Sequence, residues 1–254
     1  MTTVDWRELQ VEWDRQQQTY LPDREQRFAA MLDAVEAAVG SEPRILDLAG
    51  GTGSITLRAL ERFPGATSVV VDIDAALLAI ARATFADDDR VRVVAADLAE
   101  PGWTEQLGTQ PFDAVLTATA LHWLRAEDVA KVYRDVAGVL RAGGVFANAD
   151  HIPDAGLPGL SGALTALEES RQERAQAVPG AVDWDGWWDR LRTEPALADA
   201  VAEREAHFAG RGGSAHTESV NPADWHIAAL RAAGFAEAGL IWRGLTDAAV
   251  VGVR

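Results

Sequence analysis

The stretch Ile45-Leu46-Asp47-Leu48-Ala49-Gly50-Gly51-Thr52-Gly53-Ser54 restricts the fold of this chain more than any other. A short apolar run enters a glycine turn, and the turn opens a helix. Three glycines close together remove the side chains that would hold a ligand away from the backbone. The alternation then continues. Arg44–Leu48, Thr67–Val71, Val91–Ala95, Phe112–Thr117 and Val145–Ala149 read as strands. Ser54–Phe63, Ala75–Phe85 and Ala126–Leu140 read as helices between them. Near-continuous apolar strands separated by helices predict right-handed βαβ crossovers and a parallel sheet covered on both faces. Ligands of such sheets bind at the carboxyl ends of the strands, where helix N-termini also point.

The flanks read differently. Residues 1–40 form a helical cap, with Trp6, Leu9 and Trp13 on one helix face, a break at Tyr20-Leu21-Pro22, and a second helix from Asp23 to Val39 that Gly40 stops. Residues 41–150 are the α/β core that holds the glycine turn. Residues 151–221 interrupt the rhythm. Leu160, Leu164 and Leu167 begin a helix that turns polar, Pro179-Gly180 ends it, a Trp-rich segment spans Asp183–Leu191, a helix spans Pro195–Phe208, and the stretch GRGGS reads as a loop. This region has too little apolar mass for a core of its own, so it reads as a helical insertion, a lid over the substrate. Residues 222–254 return to the core: a helix capped by Asn221 with Pro222 at its first position, then strands Ala238–Arg243 and Ala248–Val253 as a closing antiparallel hairpin.

The ligand of the turn follows by elimination. A dinucleotide turn needs G-x-G-x-x-G/A, and Thr56 occupies the last position when the pattern starts at Gly51. A P-loop needs a lysine at its end, and the single lysine is Lys131. Asp47, at the end of the first strand, would repel a pyrophosphate but suits a cation. S-adenosylmethionine carries an ammonium and a sulfonium, and attraction to a carboxylate at about 4 Å is worth a few kcal/mol at moderate dielectric. Asp72 ends the second strand, where a carboxylate accepts from ribose hydroxyls. Asp97 ends the third, placed to accept from an adenine amino group, with Ile73 and Leu98 flanking the base.

With these residues in register, the chain resembles the class I S-adenosylmethionine-dependent methyltransferases of the small-molecule type. Asp47, Gly51 and Gly53 match the family's first motif, while Ala49 stands where its first glycine usually is. Asp72 and Asp97 match the acids after the second and third strands. Phe112-Asp113-Ala114-Val115 matches the fourth strand, Leu140–Gly144 the turn before the fifth, and Ala233-Gly234-Phe235 the lead-in to the last strands. The resemblance covers roughly 40–150 and 222–254. It implies an α/β, Rossmann-like, doubly wound, seven-stranded mostly parallel sheet with a C-terminal antiparallel hairpin. It also implies S-adenosyl-L-methionine as cofactor, held by Asp47, Ala49, Gly50, Gly51, Gly53, Asp72, Ile73, Asp97, Leu98 and Thr117.

Methyl transfer is an in-line displacement, so the protein aligns donor and acceptor and, where needed, removes a proton. The edge past the fourth and fifth strands carries Thr117–Trp123 and Asn148–His151. His122 and His151, with Asp150 next to His151 in sequence, are the candidate catalytic residues, since histidine is the usual base near neutral pH. Tyr20, Trp123, Trp184 and Trp188 are candidate substrate contacts beneath the lid, which favours an apolar or aromatic acceptor. Other sulfonium chemistry, such as cyclisation or elimination, remains open, as do a nicotinamide oxidoreductase and a non-catalytic binding protein.

Charge and cysteine content set the partners. A formal charge of −16 repels phosphate backbones, so no nucleic acid is expected. The five histidines show no metal spacing, so no metal is expected. No cysteine is present, which excludes disulfides and thiolate chemistry. With no apolar run long enough for a membrane span and no apolar core for a signal peptide, a cytoplasmic monomer or homodimer is expected.

Overall fold

A computed structural model describes residues 4–178, 183–209 and 220–254. The Pro179-Gly180 stop and the GRGGS stretch lie outside the described residues. Seven strands form one sheet: β1 Arg44–Leu48, β2 Thr67–Asp72, β3 Val91–Ala95, β4 Phe112–Ala118, β5 Leu140–His151, β6 Glu237–Arg243 and β7 Asp247–Val253. Their order is β3-β2-β1-β4-β5-β7-β6. The first five are mutually parallel, and β7 runs antiparallel to both β5 and β6. The strand order reverses between β1 and β4, so the crevice opens at their carboxyl ends.

Nine helices are described: α1 Trp6–Tyr20, α2 Arg24–Val39, α3 Ser54–Arg62, α4 Ala75–Thr84, α5 Ala126–Val139, α6 Pro158–Gln176, α7 Trp184–Arg192, α8 Ala198–Phe208 and α9 Ala223–Ala232. Successive strand residues face opposite ways, which builds one core on each face of the sheet. On β4, Val115 packs with Val132, Tyr133 and Val136 of α5. Ala114 and Leu116 pack with Phe28, Met31 and Leu32 of α2 and Ile55 of α3. Burying aliphatic side chains on both faces contributes about 1.5–3 kcal/mol each.

Five buried residues of the insertion join a third cluster. Leu9 and Trp13 of α1, Ala76, Leu77 and Ile80 of α4, and Trp187, Trp188, Leu191, Leu197 and Val201 of the insertion pack together. The insertion thus shares its apolar surface with the N-terminal helix, as its thin hydrophobic content requires. By contrast α6 has no buried residue, and its Leu160 and Leu167 are exposed.

Among the boundaries that differ from the sequence reading, two have a visible cause. The fifth strand begins at Leu140 rather than Val145, because Gly143 and Gly144 run within the strand instead of ending a turn. The N–H of Gly143 donates to the Arg254 carbonyl at 2.7 Å. A Cβ on Gly144 would lie 2.9 Å from the Arg141 carbonyl and 3.0 Å from that of Asp113, so only glycine fits there. The last helix starts one residue late: Pro222 is its cap, and Asn221 stands outside.

Candidate active site

The turn between β1 and α3 needs unusual backbone. Gly51 has φ 55° and Gly53 has φ 83°, both left-handed. Ala49, in the position read as a replaced glycine, adopts φ 53° and carries the steric cost of a Cβ in that region. The turn closes on itself through the Gly53 N–H, which donates to the Gly50 carbonyl at 2.8 Å.

Two carboxylates brace this turn from below. Asp47 is fully buried, and its Oδ2 accepts from the Thr56 N–H at 3.0 Å and the Thr56 hydroxyl at 2.8 Å. Thr56 thus occupies the position of the missing third small residue and serves Asp47 from it. The Asp47 Oδ1 has no partner. Asp72 accepts from the Gly51 N–H and the Asp74 N–H, each at 2.8 Å. Burial pushes both carboxyls up to about 6. A buried acceptor without a donor costs about 1–3 kcal/mol, so the Asp47 oxygen calls for a cationic or hydrogen-bonding ligand.

The other expected contacts sit around the same crevice. Asp97 is half-buried and accepts from the Ala99 N–H at 2.9 Å, while Leu98 is buried and Ile73 half-buried. Thr117, at the end of β4, is fully buried, and its hydroxyl oxygen has no partner. An ammonium for Asp47, hydroxyls for Asp72 and a turn without protruding side chains fit an S-adenosyl amino-acid ligand.

A second polar group lies beyond β4. The chain leaves that strand through Thr119 at φ 51°, a left-handed β-branched residue, and enters a short 3₁₀ turn, Leu121–Trp123. His122 Nδ1 lies 2.6 Å from Asp150 Oδ1. Asp150 also accepts from the His122 N–H at 3.2 Å and the His151 N–H at 2.9 Å. Burial alone would raise the Asp150 carboxyl, but His122 outweighs it and holds it below the usual range. His151 Nδ1 lies 2.7 Å from Asp247 Oδ1, and Asp247 pairs in turn with Arg27 of α2. Burial would lower His151, but the Asp247 carboxylate more than compensates and raises it. The two imidazoles stand 4.9 Å apart, each with a carboxylate on its Nδ1. Each therefore keeps its Nε2 for another partner.

The structure brings together His122, His151 and Asp150, and adds Asp247 and Arg27, which sequence reasoning missed. From sequence, Asp247 falls between the expected strands Ala238–Arg243 and Ala248–Val253. Its signal was register: β7 opens at Asp247, directly opposite His151 on β5. Trp123 is 52% exposed, its ring 4.8 Å from that of His122. Trp188 is placed elsewhere than expected. It is 3% exposed within the third cluster, with the Arg204 guanidinium 3.5 Å from its ring centre, so it packs against α1, α4 and α8. Trp184 is 40% exposed, and its backbone N–H donates to the Tyr20 hydroxyl at 2.9 Å, so both join α1 to α7. Among the described residues, His122, Asp150 and His151 are grouped closely enough to hold a metal ion. The Asp150 oxygens and both Nδ1 atoms are already engaged, however, which leaves two imidazole nitrogens as ligands.

Comparison with known proteins bears on these features. Residues 46–146 match the family model described as a methyltransferase domain. A release factor glutamine methyltransferase of Gloeobacter violaceus is 32% identical over 115 residues, which span 45% of this chain and 39% of that protein. An O-methyltransferase family protein from Burkholderia thailandensis has the same fold, with TM-score 0.57 and 18% identity over 92% of this chain and 57% of the other. Human N-acetylserotonin methyltransferase, solved with S-adenosylmethionine, gives TM-score 0.54 and 15% identity over 96% of this chain and 56% of its own. No helix among the described residues is long and apolar enough to cross a membrane.

Proposed function

We infer that this chain, which belongs to the class I S-adenosylmethionine-dependent methyltransferases, transfers the methyl group to a hydroxyl of a small apolar or aromatic molecule. The carrying observation is the His122–Asp150 pair beside the cofactor crevice. When bound, the cofactor supplies a methyl on a sulfonium. Asp47, Asp72, Asp97 and the 49–53 turn hold it, with Ile73, Leu98 and Thr117 around it. Asp150 fixes the His122 tautomer through Nδ1, which leaves Nε2 as the acceptor of the substrate proton. His151, held by Asp247, places a second imidazole beside the first and orients the acceptor. Trp123 offers an aromatic face at the mouth. The human protein of like fold is named for N-acetylserotonin, which agrees with a small-molecule acceptor.

The test has two stages. S-adenosylmethionine and S-adenosylhomocysteine should raise the melting temperature and NADH should not, since only a ligand of the folded state stabilises by mass action. Incubation with a metabolite extract and labelled cofactor should then yield S-adenosylhomocysteine and one small product carrying the labelled methyl. A labelled protein or nucleic acid instead would overturn the small-molecule reading.

Affinity should also depend on pH. Asp47 and Asp72 are raised to about 6, and the ligand requires their charged forms. Binding therefore expels protons, and affinity falls as pH drops through that value. Between pH 7.5 and 5, calorimetry with S-adenosylhomocysteine should show roughly tenfold weakening per carboxylate. Asp47→Asn should flatten the slope.

A further inference from the structure

The two histidines of the site are not equivalent, and the sheet sets the first difference. The strand order runs β1-β4-β5-β7, so the end of β4 lies one strand nearer the cofactor crevice than the end of β5. His122 follows β4, and His151 ends β5. The His122 side chain is 6% exposed and that of His151 is 37% exposed. The reacting oxygen therefore belongs at the inner imidazole, and whatever adjoins it on the acceptor meets the outer one.

What stands behind each ring differs too. Asp150 receives His122 through both its ring and its backbone N–H, whereas Asp247 is shared between His151 and Arg27. Among the described residues, the charges acting on His151 are Asp247 of β7, Asp150 of β5 and Arg27 of α2. Glu168 of α6 lies in the field of Asp247, Asp23 and Arg27. Burial opposes a charge on His151, but Asp247 and Asp150 outweigh burial and Arg27, so the ring keeps its second proton above the usual range. With both nitrogens protonated, an imidazole can only donate. The same excess of carboxylates repels an anion, while a neutral carbonyl oxygen accepts from His151 without that penalty.

The rings stand 4.9 Å apart at an interplanar angle of 57°. Nδ1 is engaged in both, so an acceptor meets their Nε2 edges. A proton-accepting edge beside a donating edge, at this spacing, fits two oxygens on adjacent positions of one planar molecule. The Trp123 ring, 4.8 Å from that of His122, gives such a plane a face to lie on.

We propose that the acceptor is a planar molecule with a hydroxyl next to a neutral carbonyl, the hydroxyl at His122 and the carbonyl at His151. In such a molecule the hydroxyl is tied to its own carbonyl by an internal hydrogen bond. Donation from His151 to the carbonyl frees the hydroxyl proton, which passes to His122 Nε2. The oxygen takes the methyl as the carbon–sulfur bond breaks, and the electron pair of that bond stays on sulfur. The proposal rests on the reading of His122 as the base.

The probes are 2-hydroxyacetophenone and 3-hydroxyacetophenone, which share their composition and differ only in the spacing of the two oxygens. Calorimetry on the full chain, saturated with S-adenosylhomocysteine and with a chelator present, should show the 2-isomer binding about tenfold or more tighter, the value of a hydrogen bond to a charged group. His151→Ala should reduce this preference to within about twofold. Salicylate, which has a carboxylate in place of the ketone, should bind more weakly than the 2-isomer. In the unmodified protein the nitrogen resonance of His151 Nε2 should shift with the 2-isomer and not with the 3-isomer, so the test survives a variant that fails to fold. Equal affinity for the isomers, a preference that outlasts the loss of His151, or tighter binding of salicylate overturns the proposal. A preference seen only without the chelator belongs to a metal held by the imidazoles and overturns it too. So does binding of S-adenosylhomocysteine with neither isomer bound. If S-adenosylhomocysteine itself does not bind, the cofactor reading fails. If the 2-isomer binds as expected but His122→Gln methylates it at the parent rate, the base reading fails.

Discussion

Replacing His122 with glutamine is expected to lower the rate constant for methyl transfer about 10²–10⁴-fold, the usual contribution of a positioned general base. Glutamine keeps a polar atom toward Asp150 but cannot take up a proton. Affinity for S-adenosylhomocysteine should stay within about twofold, because no expected cofactor contact involves His122. The loss should therefore fall on kcat, not on cofactor KM. Single-turnover transfer to the acceptor found by product labelling is the measurement. A variant within about fivefold of the parent would remove His122 from the chemistry and turn attention to His151. Asp150→Asn should act through the same histidine, by favouring the wrong tautomer, and the double variant should be little worse than either single one.

Gly53→Ala should damage the fold as well as the site. A Cβ there would lie 2.6 Å from the Phe85 ring, and φ is 83°. Left-handed strain and overpacking together amount to roughly 2–4 kcal/mol. For a chain of this size that lowers the melting temperature by roughly 5–15 °C. The turn must also shift, so S-adenosylhomocysteine should no longer protect the variant against heat. Phe85→Leu in the same background should restore part of the stability by making room, without restoring the ligand response. A variant that melts with the parent would mean that the ring moves aside freely.

Much of the architecture was legible because it rests on local patterns. The glycine turn, the strand periodicity and the acids at strand ends each leave a mark within a few residues. Asp47, Asp72 and Asp97 were placed that way. The fifth strand was cut short because glycine pairs signal turns, and only the approach of the Asp113 carbonyl explains Gly144 within a strand. Asp247 and Arg27 were hidden for another reason. They meet across 220 residues of chain, and nothing near either one announces the other. Trp188 shows the converse: a Trp-rich segment suggests a ligand surface, whereas this ring is buried against α1 and α4.

Thr119 sets a tension between two kinds of fitness. A β-branched residue at φ 51° strains the bend that delivers His122, by about 1–2 kcal/mol. A laboratory search for heat resistance would find glycine or asparagine there early and count it a success. The same change would loosen the aim of the imidazole. At this one bend, hardiness and turnover pull in opposite directions.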